Sequence, residues 1–250
     1  MLKELKVLAD HGKQFIGDLR SQPVSERFRG RPEISDDITR GQAEVAATMC
    51  PAGAIDRNSG SIDLGRCVFC KECALMLPGV YRFTNDYRIA AAKREDLVIS
   101  PGQSGPLRLD DQAVRREIRS LFRKSMKLRQ VSAGGDNSCE MELGASGNVN
   151  FDLGRYGIEF VASPRHADGI VITGPVSENM SEALEICYEA TPDPKVIILV
   201  GTDAISGGLF ADSPAVKRDF IERHHIDLYV PGNPAHPLTF INGLMDMLGI

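Results

Sequence analysis

Lys195-Val196-Ile197-Ile198-Leu199-Val200 is an unbroken apolar run behind a single lysine. A short run with no alternation reads as a strand covered on both faces, the pattern of a parallel sheet's interior. Outward from it, residues 157–162 and 169–173 read as strands, 177–189 as a helix, 212–224 as a helix, 227–230 as a strand and 237–248 as a closing helix. Alternation of this kind predicts an α/β unit, a mostly parallel sheet with helices on both faces. Ligands and partners of such sheets gather at the carboxyl ends of the strands. The loops 132–139, 173–176, 201–208 and 231–237 are therefore expected along one edge.

The first third of the chain has a different texture, and its chemistry lies in cysteine. Cys50 precedes Pro51, and Cys67, Cys70 and Cys73 follow at C-x2-C-x2-C spacing. In bacterial two-cluster ferredoxins a C-x2-C-x2-C-x3-C-P run occurs twice, and the last cysteine of each run ligates the other run's cluster. Here the second run ends on Leu77-Pro78. The first keeps only Cys50, its earlier positions falling at Arg40, Ala43 and Ala46. The surviving cysteines thus form the whole ligand set of one 4Fe–4S cluster, and the missing ones form the whole set of the other. Four thiolates also suit a structural zinc ion, and thiols without metal are the remaining alternative.

Size and charge narrow the rest. At 250 residues there is room for one large or two modest domains, and a net charge of −5 argues against a general nucleic-acid binder. Residues 1–10 carry Lys3, Glu4, Lys6 and Asp10, which breaks the apolar core a signal peptide needs. The run 196–200 is far too short to cross a bilayer. Six cysteines, most of them in a metal-ligand pattern, suggest a reducing compartment. Ser100-Pro101-Gly102-Gln103-Ser104-Gly105-Pro106 is a cluster of breakers that reads as a linker. Before it, residues 54–55 and 60–63 predict one small hairpin, and 80–83 with 87–90 a second. Such hairpins bury little, so a group bonded to the thiolates would supply cohesion there. After it, residues 111–129 predict a helix with an apolar stripe of Val114, Ile118, Leu121 and Phe122. That helix is also basic, with Arg115, Arg116, Arg119, Arg123, Lys124, Lys127 and Arg129 suiting a solvated face or a contact with a partner or an anionic membrane.

Several ordered motifs carry a family resemblance. Ser163-Pro164-Arg165-His166-Ala167-Asp168-Gly169, Thr173-Gly174-Pro175-Val176, Pro192-Asp193-Pro194-Lys195, Ala204-Ile205-Ser206-Gly207-Gly208 and Tyr229-Val230-Pro231-Gly232 occur in that order. The stretch from about residue 110 to the end resembles the small electron-transfer subunit of membrane-bound NiFe hydrogenases of the formate hydrogenlyase type, and the 20 kDa-type subunit of respiratory complex I. The N-terminal part resembles their ferredoxin-like partner subunit, through Phe28-Arg29-Gly30-Arg31-Pro32-Glu33 and Gly65-Arg66-Cys67-Val68-Phe69-Cys70. The resemblance implies a fusion of the two, with an N-terminal helical arm and a ferredoxin-like α+β iron–sulfur domain over 1–100 and a flavodoxin-like α/β domain over 110–250. It implies a large-subunit relative and membrane-arm subunits as partners, and a cytoplasmic position on the inner face of the cell membrane. Catalysis would then lie in the partner.

The family pattern places a proximal cluster on four cysteines, and those positions here are Asp136, Cys139, Asp203 and Asn233. Carboxylate and amide oxygens are hard ligands that poorly replace thiolates around iron and sulfide, so no proximal cluster is expected. Cys139 then reads as a small buried side chain, with an unusual cluster or a single hard metal as alternatives. Loss of a relay leaves an electron-transfer subunit, a non-redox coupling subunit with a structural cluster, or an iron–sulfur flavoprotein as competing readings. Glu140 and Glu142 are candidate proton carriers or ordinary helix-start carboxylates. His166 reads as a loop tie, His224 and His225 as a helix end, and Cys187 as core. The loop 201–208 lacks both G-x-G-x-x-G and a P-loop ending, so no nucleotide is expected.

Overall fold

The computed structural model describes residues 2–110, 112 and 114–250. In chain order the elements are α1 (Leu2–His11), β1 (Pro32–Ile34), α2 (Arg40–Met49), β2 (Ile62–Asp63), α3 (Glu72–Met76), β3 (Tyr81–Phe83), β4 (Val98–Ile99), α4 (Arg116–Phe122), β5 (Met126–Ser132), α5 (Ser138–Ser146), β6 (Ile158–Phe160), β7 (Gly169–Thr173), α6 (Glu178–Ala190), β8 (Val196–Val200), α7 (Thr202–Ser206), α8 (Asp219–Arg223), β9 (Leu228–Val230) and α9 (Pro237–Leu248), with short 3-10 turns between some of them.

The apolar run 196–200 is β8, and every one of its residues is buried, as is every residue of β7. The sheet order is β6-β5-β7-β8-β9 with all neighbours parallel. Counted within this sheet the order is 2-1-3-4-5, the flavodoxin-like arrangement, so the α/β expectation holds. One face packs on α6, α7 and α8 through Leu184, Ala204, Ile205 and Phe220. The other packs on α4, α5 and α9 through Ile118, Leu143, Phe240 and Leu244.

Helix α9 is the most enclosed helix of the described residues, with nearly all of its side chains buried. Pro237 sits at its first turn, where no N–H is needed, and Gly249 closes it in the left-handed region at φ 68°. Beyond it lies the N-terminal part, and a Cβ on Gly243 would fall 2.7 Å from the Cβ of Ala90. Only a glycine allows the strip around Ala90 to approach the helix that closely. The strip is pinned further by an antiparallel bridge of Ala91 with Tyr229 on β9. Apolar burial runs unbroken from the cysteine region into the sheet face that carries Ile170, Ile172 and Leu199.

Three sequence expectations are corrected. The hairpin of 80–83 with 87–90 does not form, because β3 pairs antiparallel with β1 instead. By contrast, residues 54–55 and 60–63 do form their small hairpin, Ile55 bridging Ile62 antiparallel between the bonds Asp56 N to Ser61 O and Asp63 N to Ala54 O, and β2 pairs further with β4. The helix foreseen over 111–129 is only α4, Arg116–Phe122, and its continuation is β5. Met126 and Leu128 are buried with the period of a strand, and pairing to both β6 and β7 outweighs the helical spacing. Asp111, at its foreseen start, lies outside the described residues. Likewise 212–224 is not one helix, its first part being turns and a single bridge of Val216 with Ser177. Lys217 N donates to Val176 O and Glu178 N to Ala215 O, leaving only α8 helical.

These changes alter the basic stretch. Arg115 donates to both carboxylate oxygens of Asp227 at 2.7 and 3.0 Å. Arg119 donates to the carbonyls of Met247 and Asp246 at the end of α9, and Lys127 pairs with Glu159. At least these cations tie the fold together rather than waiting for a partner.

Asp227 Oδ2 also accepts from Ile197 N at 2.9 Å, so one buried carboxylate joins α4, β8 and the entry to β9. Asp227→Ala leaves a guanidinium and a buried N–H without their acceptor. It should lower stability by about 3 kcal/mol, read as a lower urea midpoint at unchanged slope.

Candidate functional site

The four N-terminal cysteines converge. Cys50 is the C-cap of α2, a helix begun by a reciprocal Thr39–Gln42 capping box. Cys73 lies in α3, and between it and Cys67 the chain adopts left-handed backbone at Phe69 (φ 52°) and Lys71 (φ 73°). These two unusual residues curl the loop so that Cys67, Cys70 and Cys73 face the same cavity as Cys50, walled by Ile55, Ile62 and Phe83. Backbone N–H groups already point at sulfur, from Ala54 to Cys50 Sγ and from Phe69 to Cys67 Sγ, each at 3.3 Å. Burial pushes the thiol of Cys67 strongly up and that of Cys73 up to about 11, and the neighbouring cysteines' charges add to both. Among the described residues, no three His, Cys, Asp or Glu side chains stand close enough together to hold a single metal ion.

Two of the positions ahead of Cys50 in the ferredoxin pattern are packed in the core, while Arg40 is exposed. Ala43 and Ala46 are buried on α2. The ring of Tyr81, 2% exposed, ends in a hydroxyl that donates to Gly60 O at 3.0 Å, a contact that lies beside Ala43.

At the carboxyl edge of the sheet the foreseen loops do assemble. Thr202 N donates to Gly232 O at 2.8 Å, and Gly201 N to Val230 O at 2.9 Å. Gly201 has φ 91°, and a Cβ there would lie 2.5 Å from Cys139 Sγ, so the sulfur fills the space a side chain would take. Burial raises the Cys139 thiol to about 11, opposed by a hydrogen bond from the Ala235 backbone. Asp203 is raised by burial and then by the charges of Asp136 and Glu140, while Asp136 is lowered by hydrogen bonds from Ser138. Asn233 is exposed in the neighbouring turn.

Glu140 has a structural partner set. Its Oε1 accepts from Ser132 Oγ at 2.6 Å and Thr173 Oγ1 at 2.7 Å, bracing the ends of β5 and β7. Burial raises Glu142. His166 is exposed, and the His224 ring sits against Tyr188 and Phe220.

The two regions touch. Thr202 Oγ1, on a residue 1% exposed, donates to the carbonyl of Cys67 at 2.8 Å, with Gly232 O at 3.2 Å. Arg29 Nη1 donates to the carbonyl of Phe69 at 2.6 Å. Arg94 grips Asp63, just before the cysteine loop, with bonds of 2.7 and 2.6 Å. No motif marks Thr202 or Arg94, and the motif that contains Arg29 does not show its role, because each finds its partner across a long stretch of chain.

A family model described as the 20 kDa subunit of NADH ubiquinone oxidoreductase matches residues 137–247. A probable membrane-bound hydrogenase subunit of Pyrococcus furiosus is 36% identical over 115 residues, covering 46% of this chain and 69% of that protein. The chain belongs to this family of oxidoreductase subunits. An NADH-quinone oxidoreductase subunit of Geotalea daltonii is 41% identical over 109 residues, covering 44% of this chain and 64% of its own length. Formate hydrogenlyase subunit 7 of Escherichia coli is 33% identical over 147 residues, or 58% of each chain. The chain thus spans 58–69% of these relatives' own length, and the region that carries Cys50, Cys67, Cys70 and Cys73 lies outside the family match.

Thr202→Val keeps the side chain's shape but removes the bond to Cys67 O. It should lower the thermal midpoint by the equivalent of about 1–2 kcal/mol, and Thr202→Ser should restore most of the loss. Calorimetric melting of the three proteins side by side provides the check.

Proposed function

We propose that this chain is an iron–sulfur subunit of a membrane-associated oxidoreductase assembly related to hydrogenases and complex I. In this reading a ferredoxin-like domain, residues 1–100, is fused to the 20 kDa-type domain, residues 110–250. Cys50, Cys67, Cys70 and Cys73 hold one 4Fe–4S cluster. The observation that carries the proposal is the convergence of these four thiols on one apolar cavity, with backbone N–H groups directed at two of the sulfurs.

The residues fit such a group. Thiolates buried together repel one another, and positive iron offsets that repulsion. When bound, the cluster supplies one-electron exchange. The chain supplies the rest. Amide donors from Ala54 and Phe69 stabilise charge on sulfur, Ile55 and Ile62 keep water out, and Thr202 and Arg29 hold the loop against the sheet.

The 20 kDa-type domain is proposed to dock a large-subunit relative at the edge that carries Cys139 and Asp203. Met141 beside Cys139 is 69% exposed, and Leu209 and Phe210 beyond the Asp203 helix are 56% and 57% exposed. Exposed apolar side chains of this size on one edge mark an interaction surface. Asp136, Cys139, Asp203 and Asn233 are read as a proximal-cluster site that has lost its ligands. The partner would then hold the catalytic centre, with the assembly on the inner face of the cell membrane. Among the described residues no helix is long and apolar enough to cross that membrane.

Anaerobically purified protein should contain about four irons and four labile sulfides per chain, and its reduced form should give a paramagnetic resonance signal that Cys70→Ala abolishes. Zinc without sulfide would sink the cluster assignment. About eight irons would overturn the reading of Asp136, Asp203 and Asn233. A cluster that cannot be reduced in the assembled complex would favour the structural alternative.

A further inference from the structure

A cleft of about 240 Å3 lies where the cysteine loop meets the turn after β9, with Val68 and Phe69 on one wall and residues 231–234 on the other. The charged side chains that line it are Arg27 and Arg29, accompanied by the imidazole of His236, and among the described residues no carboxylate does. Arg29 spends one N–H on the carbonyl of Phe69, which orients the guanidinium and leaves its other donors available. Arg27 has no side-chain hydrogen bond or ion pair among the described residues. The His236 ring is fixed at its other edge, because Nδ1 accepts from Leu238 N at 3.1 Å. The proton of the neutral ring therefore sits on Nε2, which makes that nitrogen a donor. Phe28 and Phe151 meet the same ring edge-on at 5.2 and 6.1 Å and keep it from turning. The Asn233 amide adds another donor, and Ile89 with Phe28 adds apolar wall.

Donors without acceptors of their own, held on a partly enclosed apolar surface, make up the chemistry of an anion site. Planar guanidinium forks suit carboxylate and phosphate oxygens in particular. We propose that this cleft binds a small carboxylate- or phosphate-bearing molecule, gripped by Arg27, Arg29 and His236 beside the cysteine loop. The site needs no cluster to form, since its walls are held by protein contacts, so it stands or falls independently of the proposed function.

Titration calorimetry of the full chain with sodium phosphate, sodium benzoate and neutral benzamide at constant ionic strength tests this. One saturable site for phosphate or benzoate is expected, with none for benzamide, and the tighter anion identifies which oxyanion class the cleft takes. Arg27→Ala, a change at an exposed position whose fold circular dichroism can verify, should weaken binding roughly tenfold, and Arg29→Gln should weaken it similarly. Arg57→Ala, in the turn between Ile55 and Ile62 and outside the cleft's lining, should leave affinity unchanged. Failure of both anions to saturate, affinity retained in Arg27→Ala, or an equal loss in Arg57→Ala would each overturn the proposal.

Discussion

The hydroxyl of Thr202 reaches the carbonyl of Cys67 at 2.8 Å, and the arrangement of both chemical regions follows from that junction. Thr202 opens α7 directly after the buried strand β8, so it is placed by the most rigid part of the sheet. The cysteine loop, by contrast, belongs to a region of two-stranded ribbons that bury little by themselves. A loop with left-handed residues at Phe69 and Lys71 carries backbone strain, and it keeps that shape only where its surroundings over-determine it. Thr202 and Arg29 fix its carbonyls, and Arg94 fixes Asp63 just ahead of it. The sheet thereby lends its rigidity to a site it does not contain.

At the carboxyl edge of the sheet, Gly201 takes a backbone conformation that leaves room for the Cys139 sulfur, and Glu140 braces the ends of β5 and β7. Asp136, Asp203 and Asn233 bring hard oxygen donors to the loops around this sulfur, and such donors do not support an iron–sulfide core. Asp203 is raised by burial and by its acidic neighbours, an electrostatic tension that a cation would relieve. In the N-terminal part, Ala43 and Ala46 are buried in the core, with the Tyr81 hydroxyl beside Ala43.

Much of the architecture was legible because it rests on local rules. The run 196–200 had to be an interior strand, the alternation of strand and helix signals placed α6 and α9, and the loops at the strand ends gathered where parallel sheets put them. The misreadings share a cause. Residues 126–128 fit a helical stripe, 87–90 looked like a hairpin partner and 212–224 like a helix, but each is decided by a distant strand or loop competing for its backbone hydrogen bonds. Local pattern gives no weight to such partners.

For the chemistry, the sequence by itself determined which residue types are present and at what spacing, with Cys50, Cys67, Cys70 and Cys73 in a cluster-ligand pattern and Asp136, Cys139, Asp203 and Asn233 in the loops of the sheet edge. Spacing along the chain is covalent, and so it is readable. Only the tertiary structure decided that the two sets lie against each other, that Thr202 joins them, and that Arg27, Arg29 and His236 share a cleft at their border. Those contacts cross up to two hundred residues of chain, and the packing of α9, the sheet and the N-terminal region sets them, not any local pattern.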